Sequence, residues 1–519
     1  MSRIRLGYAP AMETNASYWM VSAETPDFPV LDEDITVDVA VVGGGIAGLS
    51  VASEIARTGR SVAVLEAGGI AAGVTGGTTA KVSVLHGAIY HHLAEKLGDD
   101  TAESYATSQW LAMEHVAETV ERLGVDCELE RQPAFVYTES SSDVDMLRHE
   151  ADAARRAGLP ATFTNDTGLP FPVAGAVRVE DQLVFHPRKY LRALAEEYVE
   201  RGGLIFENTR VTGLDEGTPC TVTTEAGHRV SALHVVVATH YPIFDRAMMF
   251  SRLTPKREFA VAGVVEDSAD PRAMYVSTGS NTRSLRGAPY GDGRLLIATG
   301  APFTPGDPRS PERLAELSTW LTDRFPVDEV RFSWAAQDNH SGDKVPFIGP
   351  LHPGAKHTWV VAGFAAWGMT SGVLSGLLLR DLIEGRPQPW SRIYDPRRVH
   401  PALEAKTLLT SGARSVAGLA GNAATRMKAK LQRVPSVEDL SPGQAGIVRD
   451  SGGEWATYVD DGGDVHSVSP TCTHMGCLVS FSQAEKAWEC PCHGSRFGLD
   501  GAVLQGPATR PLKRRDDDQ

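Results

Sequence analysis

Residues 35 to 66 read ITVDVAVVGGGIAGLSVASEIARTGRSVAVLE. An apolar run, a glycine turn, apolar residues at three-to-four spacing and a second apolar run follow in order, which predicts a βαβ unit. Between about 88 and 124 the helical spacing persists, and SSDVDMLRHEADAARRAG predicts a further helix that ends at Gly158. These helices interrupt the strand-rich part as an inserted lobe would. From 160 to 300 short alternating runs predict strands and turns, with one helix over 186–203 and a hairpin whose tight turn falls at Asp292-Gly293. Residues 401–432, rich in Ala, Leu and Lys, predict a helical connector. From about 433 short runs with Gly/Asp turns predict a small β domain.

Composition narrows what such a chain does. Its 519 residues suffice for two or three domains, each with its own core. Lys plus Arg number 50 and Asp plus Glu 65, a formal net charge of -15, so nucleic acid is not an expected partner. No apolar run is long enough for a signal peptide or for a spanning helix of ~18 residues, so no transmembrane segment is expected and the location is expected to be cytoplasmic. Cys127 and Cys220 then read as reduced, buried thiols, which leaves four clustered cysteines to explain.

Gly43-x-Gly45-x-x-Gly48 follows the first strand and opens the helix, so backbone can approach a pyrophosphate at a helix N-terminus. Glu66 ends the next strand about twenty residues on, where a carboxylate can bind ribose hydroxyls. The alternative is a glycine turn that only closes the βαβ unit. Together with NTRVTGL (208–214), VVVATH (235–240) and the late blocks DKVPFIGP and VVAGFAAWGMTSG, residues 35 to 395 resemble FAD-dependent oxidoreductases of the D-amino-acid oxidase/glycine oxidase type. The resemblance implies a Rossmann-like α/β FAD domain with an interleaved α+β substrate domain. It also implies FAD contacts from Gly43, Gly45, Gly48, Glu66, Thr78, Thr79, Val211, Ala238, Gly363, Gly368, Met369 and Thr370. A helix that starts in the last block would aim its positive end at the flavin N1/C2 carbonyl. His240 departs from the glycine usual at the end of the VVVATH strand. GVTGGTTAK (73–81) lacks a cysteine, so no thioether-linked flavin is expected. Lys81, His86, His240 and Arg257 are the candidate site-lining groups, Arg257 as a bidentate clamp for a substrate carboxylate.

CTHMGC (472–477) and CPCHGS (490–495) hold the remaining cysteines. Cys472-x-His474 and Cys490-x-x-His493, 15 residues apart, each deliver one thiolate and one imidazole from a glycine-bearing loop, as a Rieske [2Fe-2S] centre requires. A four-ligand zinc site is the alternative on paper. The boxes resemble the Rieske family closely, and the resemblance implies a small all-β domain and a disulfide between Cys477 and Cys492; two free thiols are the other possibility. Ser495 stands where the family has a hydroxyl donor to a bridging sulfide. Phe497 stands where high-potential members have a tyrosine, so a potential below that of the respiratory proteins is expected.

The expected domains are therefore 35–400 (FAD-dependent oxidoreductase), 401–432 (connector) and 433–513 (Rieske). A flavin that takes electron pairs, joined to a one-electron cluster, predicts an oxidoreductase that passes electrons from an amine or amino-acid substrate to an external carrier such as a ferredoxin or a quinone. The alternative is a non-catalytic relay or redox sensor. A Rieske oxygenase is not expected, because the DxxHxxxxH arrangement is absent and Ser83 stands where His86 and His91 would need an acid. Nor is there a second GxGxxG for a nicotinamide nucleotide.

Overall fold

Val37 and every residue from Val39 to Val42 are buried in β1 (Ile35–Val42). Such near-continuous burial marks a strand covered on both faces. β1 leads through Gly43 into α1 (Ile46–Ala56), and the chain returns through β2 (Val62–Leu65). Both strands lie in a sheet ordered Phe347–Pro350, Thr358–Ala362, Arg229–Val237, β1, β2 and Leu204–Phe206. All neighbours in that order are parallel except the first pair. The computed structural model describes residues 13–515 apart from 15, 247, 406–435, 451 and 452. Of the expected connector, residues 401–405 are helical and the rest lies outside the described residues.

A second sheet of ten strands carries β3 (Lys81–Val82) at one edge, while β4 (Leu253–Val265), β5 (Arg283–Tyr290), β6 (Gly293–Phe303) and β7 (Val330–Ser341) adjoin in the order β7-β4-β6-β5. β4 and β7 are antiparallel, with Lys256 opposite Asp338, Arg257 opposite Gln337 and Glu258 opposite Ala336. Opposed residues share a face. Glu258, Ala336 and Asp338 therefore point to one side of this wall, and Arg257 and Gln337 to the other. The first side meets the nucleotide-binding layer, where Trp334 Nε1 donates to Gly77 O at 2.7 Å.

The helical lobe is present, but it breaks at Gly98 (φ +93°) into Tyr90–Leu97 and Asp99–Leu123. The helix Val144–Arg156 ends before Gly158 (φ +91°), as expected. The hairpin turn lies one residue earlier than expected: Tyr290 pairs with Gly293, so Gly291-Asp292 forms the loop and Gly291 takes the left-handed conformation (φ +55°). α2 (Gly368–Ile383) packs on α1. The C-terminal part is β-rich, with one sheet of three strands and one of four around Tyr458, Trp488 and Phe497. Among the described residues no helix is long and apolar enough to cross a membrane.

Candidate functional site

The turn after β1 has no room for side chains. A Cβ on Gly43 (φ +110°) would lie 2.5 Å from Ala238 O, and one on Gly48 would lie 1.8 Å from Gly43 O. Gly45 caps α1 without a side chain, and the Ile46 N–H is taken by Thr75 Oγ1 at 3.1 Å. Glu66 accepts from Gly44 N–H (2.7 Å) and Gly68 N–H (2.8 Å). Burial raises its pKa even so. Bare backbone at a helix N-terminus, with a carboxylate fixed beside it, fits a dinucleotide pyrophosphate and ribose. Val211 is buried in the same layer.

α2 reaches this turn because its own glycines admit α1. A Cβ on Gly376 would meet Ser50 O at 2.7 Å, and one on Gly372 would meet Ile46 at 2.9 Å. Ahead of it, Gly363, Ala365 and Ala366 all have positive φ (+77°, +52° and +73°). Asp338 holds this bend by accepting from Ala366 N–H. Met369 is buried, and Thr370 Oγ1 exchanges two hydrogen bonds with the backbone of Ser83 (3.0 and 2.9 Å). Gly368 is the first residue of α2. Thr78 and Thr79 are half-buried in the loop before β3, which Trp19 and Arg286 pin through the Thr78 and Thr79 carbonyls. Trp19, fully buried, carries no motif that could have flagged it.

Lys81 is buried with its Nζ on Ser284 Oγ and Glu258 nearby. Burial pushes its pKa down to about 7. Glu258 is pushed up, first by burial and then by Asp338. For Asp338 burial works in the same direction, but the His240 ring outweighs it and the pKa falls. His240 adopts φ +65°, so it keeps the backbone form of the glycine it replaces, and it also lies 3.2 Å from Asn339 Nδ2. Glu258, Ser284 and Asp338 escaped notice in the sequence; the signal for Glu258 was a carboxylate inside an otherwise apolar strand.

Two expected site-lining groups are corrected. His86 has both ring nitrogens engaged, at 2.6 Å from Tyr105 Oη and 2.6 Å from Ser83 O, and it stacks on Trp367 at 4.6 Å. Burial drives it to about 3, so it is a neutral packing group that holds Trp367. Arg257 is fully buried on the outer side of the wall, where it pairs with Glu485 and with Glu489 (3.1 Å) of the C-terminal domain. It faces those two carboxylates, on the side of the wall away from Glu258.

In the C-terminal loops, Cys472 and Cys490 are free and buried. The Cys472 sulfur accepts from His474 and Met475 N–H and from the Ser495 hydroxyl, and the Cys490 sulfur from Cys492 and His493 N–H. The His474 and His493 rings lie 5.0 Å apart. Nδ1 of each, and Nε2 of His493, are buried without a partner in the protein. Burial takes these imidazoles to about 4 and about 3, the neutral form that ligates metal. Cys477 and Cys492 form a disulfide, which joins the two loops. Two thiols and two orphaned imidazoles fit a Rieske cluster.

The two sites adjoin. Tyr241 and Phe250 of the first domain face the His493 ring at 6.1 and 5.7 Å, and Tyr241 Oη donates to Phe250 O at 3.0 Å. Gly494 lies against Gln337 of β7, where a Cβ would meet Nε2 at 2.3 Å.

Known proteins share both halves. The FAD dependent oxidoreductase (DAO) family matches residues 38–382, and the Rieske [2Fe-2S] domain family matches residues 430–515. A Bacillus subtilis (strain 168) protein named as a Rieske 2Fe-2S iron-sulfur protein, YhfW, is 32% identical over 511 residues, 98% of each chain. The gamma-glutamylputrescine oxidoreductase of Escherichia coli (strain K12) is 25% identical over 72% of this chain and 90% of its own. L-proline dehydrogenase from P. horikoshii superposes with a TM-score of 0.59 at 20% identity, over 71% of this chain and 98% of that one. The chain belongs to the FAD-dependent oxidoreductases of the DAO family and carries a C-terminal Rieske [2Fe-2S] domain.

Proposed function

We propose that the protein is an amine or amino-acid dehydrogenase whose electrons leave through the Rieske domain to an external one-electron carrier. The observation that carries this reading is the packing of Tyr241 and Phe250 on His493, which seats the cluster loop on the flavoprotein. FAD supplies hydride acceptance from a carbon next to nitrogen, and the [2Fe-2S] cluster supplies single-electron transfer.

The chain's residues divide the remaining tasks. Gly43, Gly45, Gly48 and Glu66 would hold the dinucleotide, and Thr78, Thr79, Gly363, Gly368, Met369 and Thr370 would border the isoalloxazine. Cys472, His474, Cys490 and His493 would hold the cluster. The Trp367 and His86 stack braces the bend before α2. Lys81 Nζ, with its pKa brought down to about 7 by burial, takes the proton of the substrate ammonium and leaves the neutral amine to react.

Below pH 7 Lys81 is charged and accepts no proton. The rate of flavin reduction is therefore expected to rise with pH through about 7. Lys81→Met should flatten that limb and slow reduction about a hundredfold. Stopped-flow absorbance across pH 5.5 to 9 checks both.

The direct test is anaerobic. Holo-protein is mixed with a panel of amines and amino acids while flavin bleaching and the low-temperature EPR signal of the reduced cluster are followed. Bleaching followed by growth of the cluster signal supports the dehydrogenase. A protein that no substrate reduces, but in which a separate reductase brings up both signals, is the relay.

A further inference from the structure

On the outer side of the β4/β7 wall, Gln337 stands opposite Arg257. Gln337 is 1% exposed, and neither its Oε1 nor its Nε2 has a hydrogen-bond partner in the protein. The amide lies against Gly494, between His493 and Ser495 in the second cluster loop: a Cβ on Gly494 would sit 2.3 Å from Nε2 and 2.6 Å from Oε1. A buried amide left unpaired costs free energy at each empty position. This one calls for partners beyond those the chain provides.

The two ends of the amide face different chemistry. Arg257 is a cross-strand neighbour that only donates, and its Nη1 is buried without an acceptor, so it suits the amide oxygen. That orientation turns the NH2 towards the cluster loop. A Rieske cluster brings sulfurs there, which accept and do not donate. The loop's own donors already serve such sulfurs: Cys492 and His493 N–H point at Cys490, and the Ser495 hydroxyl points at Cys472. Phe497, fully buried, adds no donor of its own. Tyr241, the hydroxyl of the first domain that faces His493, is engaged with Phe250 O.

We infer that Gln337 donates its amide N–H to a sulfur of the Rieske cluster, so that the flavoprotein domain sets part of the cluster's potential. Hydrogen bonds to the sulfurs favour the more negative, reduced cluster and raise its potential. Gln337 thus offsets, from the other domain, the donor that Phe497 lacks. The inference rests on the Rieske domain and is independent of what the flavin oxidises.

Gln337→Met keeps the length of the side chain and removes its N–H, and Gln337→Leu repeats the loss with a second shape. Redox titration of the holo-protein, followed by EPR, should show a tenfold shift of the one-electron equilibrium towards the oxidised cluster, a potential lower by about 59 mV. After exchange into D2O, pulsed EPR of the reduced cluster should lose one deuteron coupling that the parent protein shows. A potential that stays in place overturns the inference. A lowered potential with every deuteron coupling retained also overturns it, because Gln337 then only packs against the loop or bonds one of its carbonyls.

Discussion

Arg257→Ala is expected to loosen the Rieske domain from the flavoprotein and to delay electron arrival at the cluster, without weakening substrate binding. Arg257 is the first domain's share of a buried four-charge cluster. Glu485 lies between Arg257 and Arg496 (2.7 Å to the latter), and Glu489 contacts Arg257 at 3.1 Å and Arg496 at 3.3 Å. Glu489 also accepts from Gly306 N–H of the first domain at 2.7 Å. With both arginines present the cluster is neutral, and Glu485 is held below its ordinary value: burial pushes it up, but Arg257 and then Arg496 outweigh that. Alanine leaves one buried carboxylate uncompensated, which costs about 3–5 kcal/mol. Calorimetry should show an earlier transition for the C-terminal domain. Freeze-quench EPR should show the cluster lagging behind flavin bleaching. Replacing Arg257, Glu485, Glu489 and Arg496 together by apolar residues of similar volume should cost far less, because no charge is stranded. Were Arg257 instead a carboxylate clamp, the substrate concentration for half-maximal bleaching would rise while the thermal transition stayed in place.

That contrast shows where the sequence stops being legible. The nucleotide turn was readable because one short segment supplies the strand, the glycines and the helix, and steric exclusion at Gly43 and Gly48 is local. The Rieske domain is readable for the same reason: two six-residue boxes hold its cysteines and histidines, and the partnerless ring nitrogens of His474 and His493 fit a ligand role. LTPKREFAVAG was not readable. Alternation puts Arg257 and Glu258 on opposite faces of β4, yet nothing in the strand says which face meets the flavin side. The arginine drew attention as a clamp while its acidic neighbour held the inner position. The partner that settles the face, Glu485, lies 228 residues further along the chain. His86 failed differently: its type suits catalysis, but the Tyr105 hydroxyl and the Ser83 carbonyl that occupy it are visible only after folding. The hairpin turn moved by one residue because YGDG offers two adjacent dipeptides of similar turn propensity, and the pairing of Tyr290 with Gly293 chose between them.

Arg257, Gln337 and the cluster loops lie on one side of a single sheet, with Glu258, Asp338 and the α2 bend on the other. One layer of backbone thus separates the Glu258 and Asp338 side chains from the loops of the C-terminal domain, with Tyr241 facing His493 next to His240 in the chain. Strand alternation alone turns adjacent residues of β4 and β7 to different sides of the wall.

Gly48→Ala is expected to remove FAD and spare the cluster. The added methyl would meet Gly43 O at 1.8 Å, and both atoms belong to backbone fixed between β1 and α1, so no side chain can swing aside. Either α1 lifts from β1 or the Gly43 carbonyl turns into the space where the pyrophosphate would lie. Overpacking of this kind costs about 1–3 kcal/mol even where neighbours can yield. Purified Gly48→Ala should therefore show little flavin absorbance, while its reduced cluster still gives the Rieske EPR signal, since Cys472 to His493 make no use of that turn. Gly45→Ala supplies the graded control: its Cβ would sit 3.0 Å from Thr75 Oγ1, a side-chain atom that can rotate, so FAD should be retained with weakened affinity. A Gly48→Ala protein with a full complement of FAD would mean that the cofactor does not lie on this turn, and the placement of α2 against the flavin would fall with it.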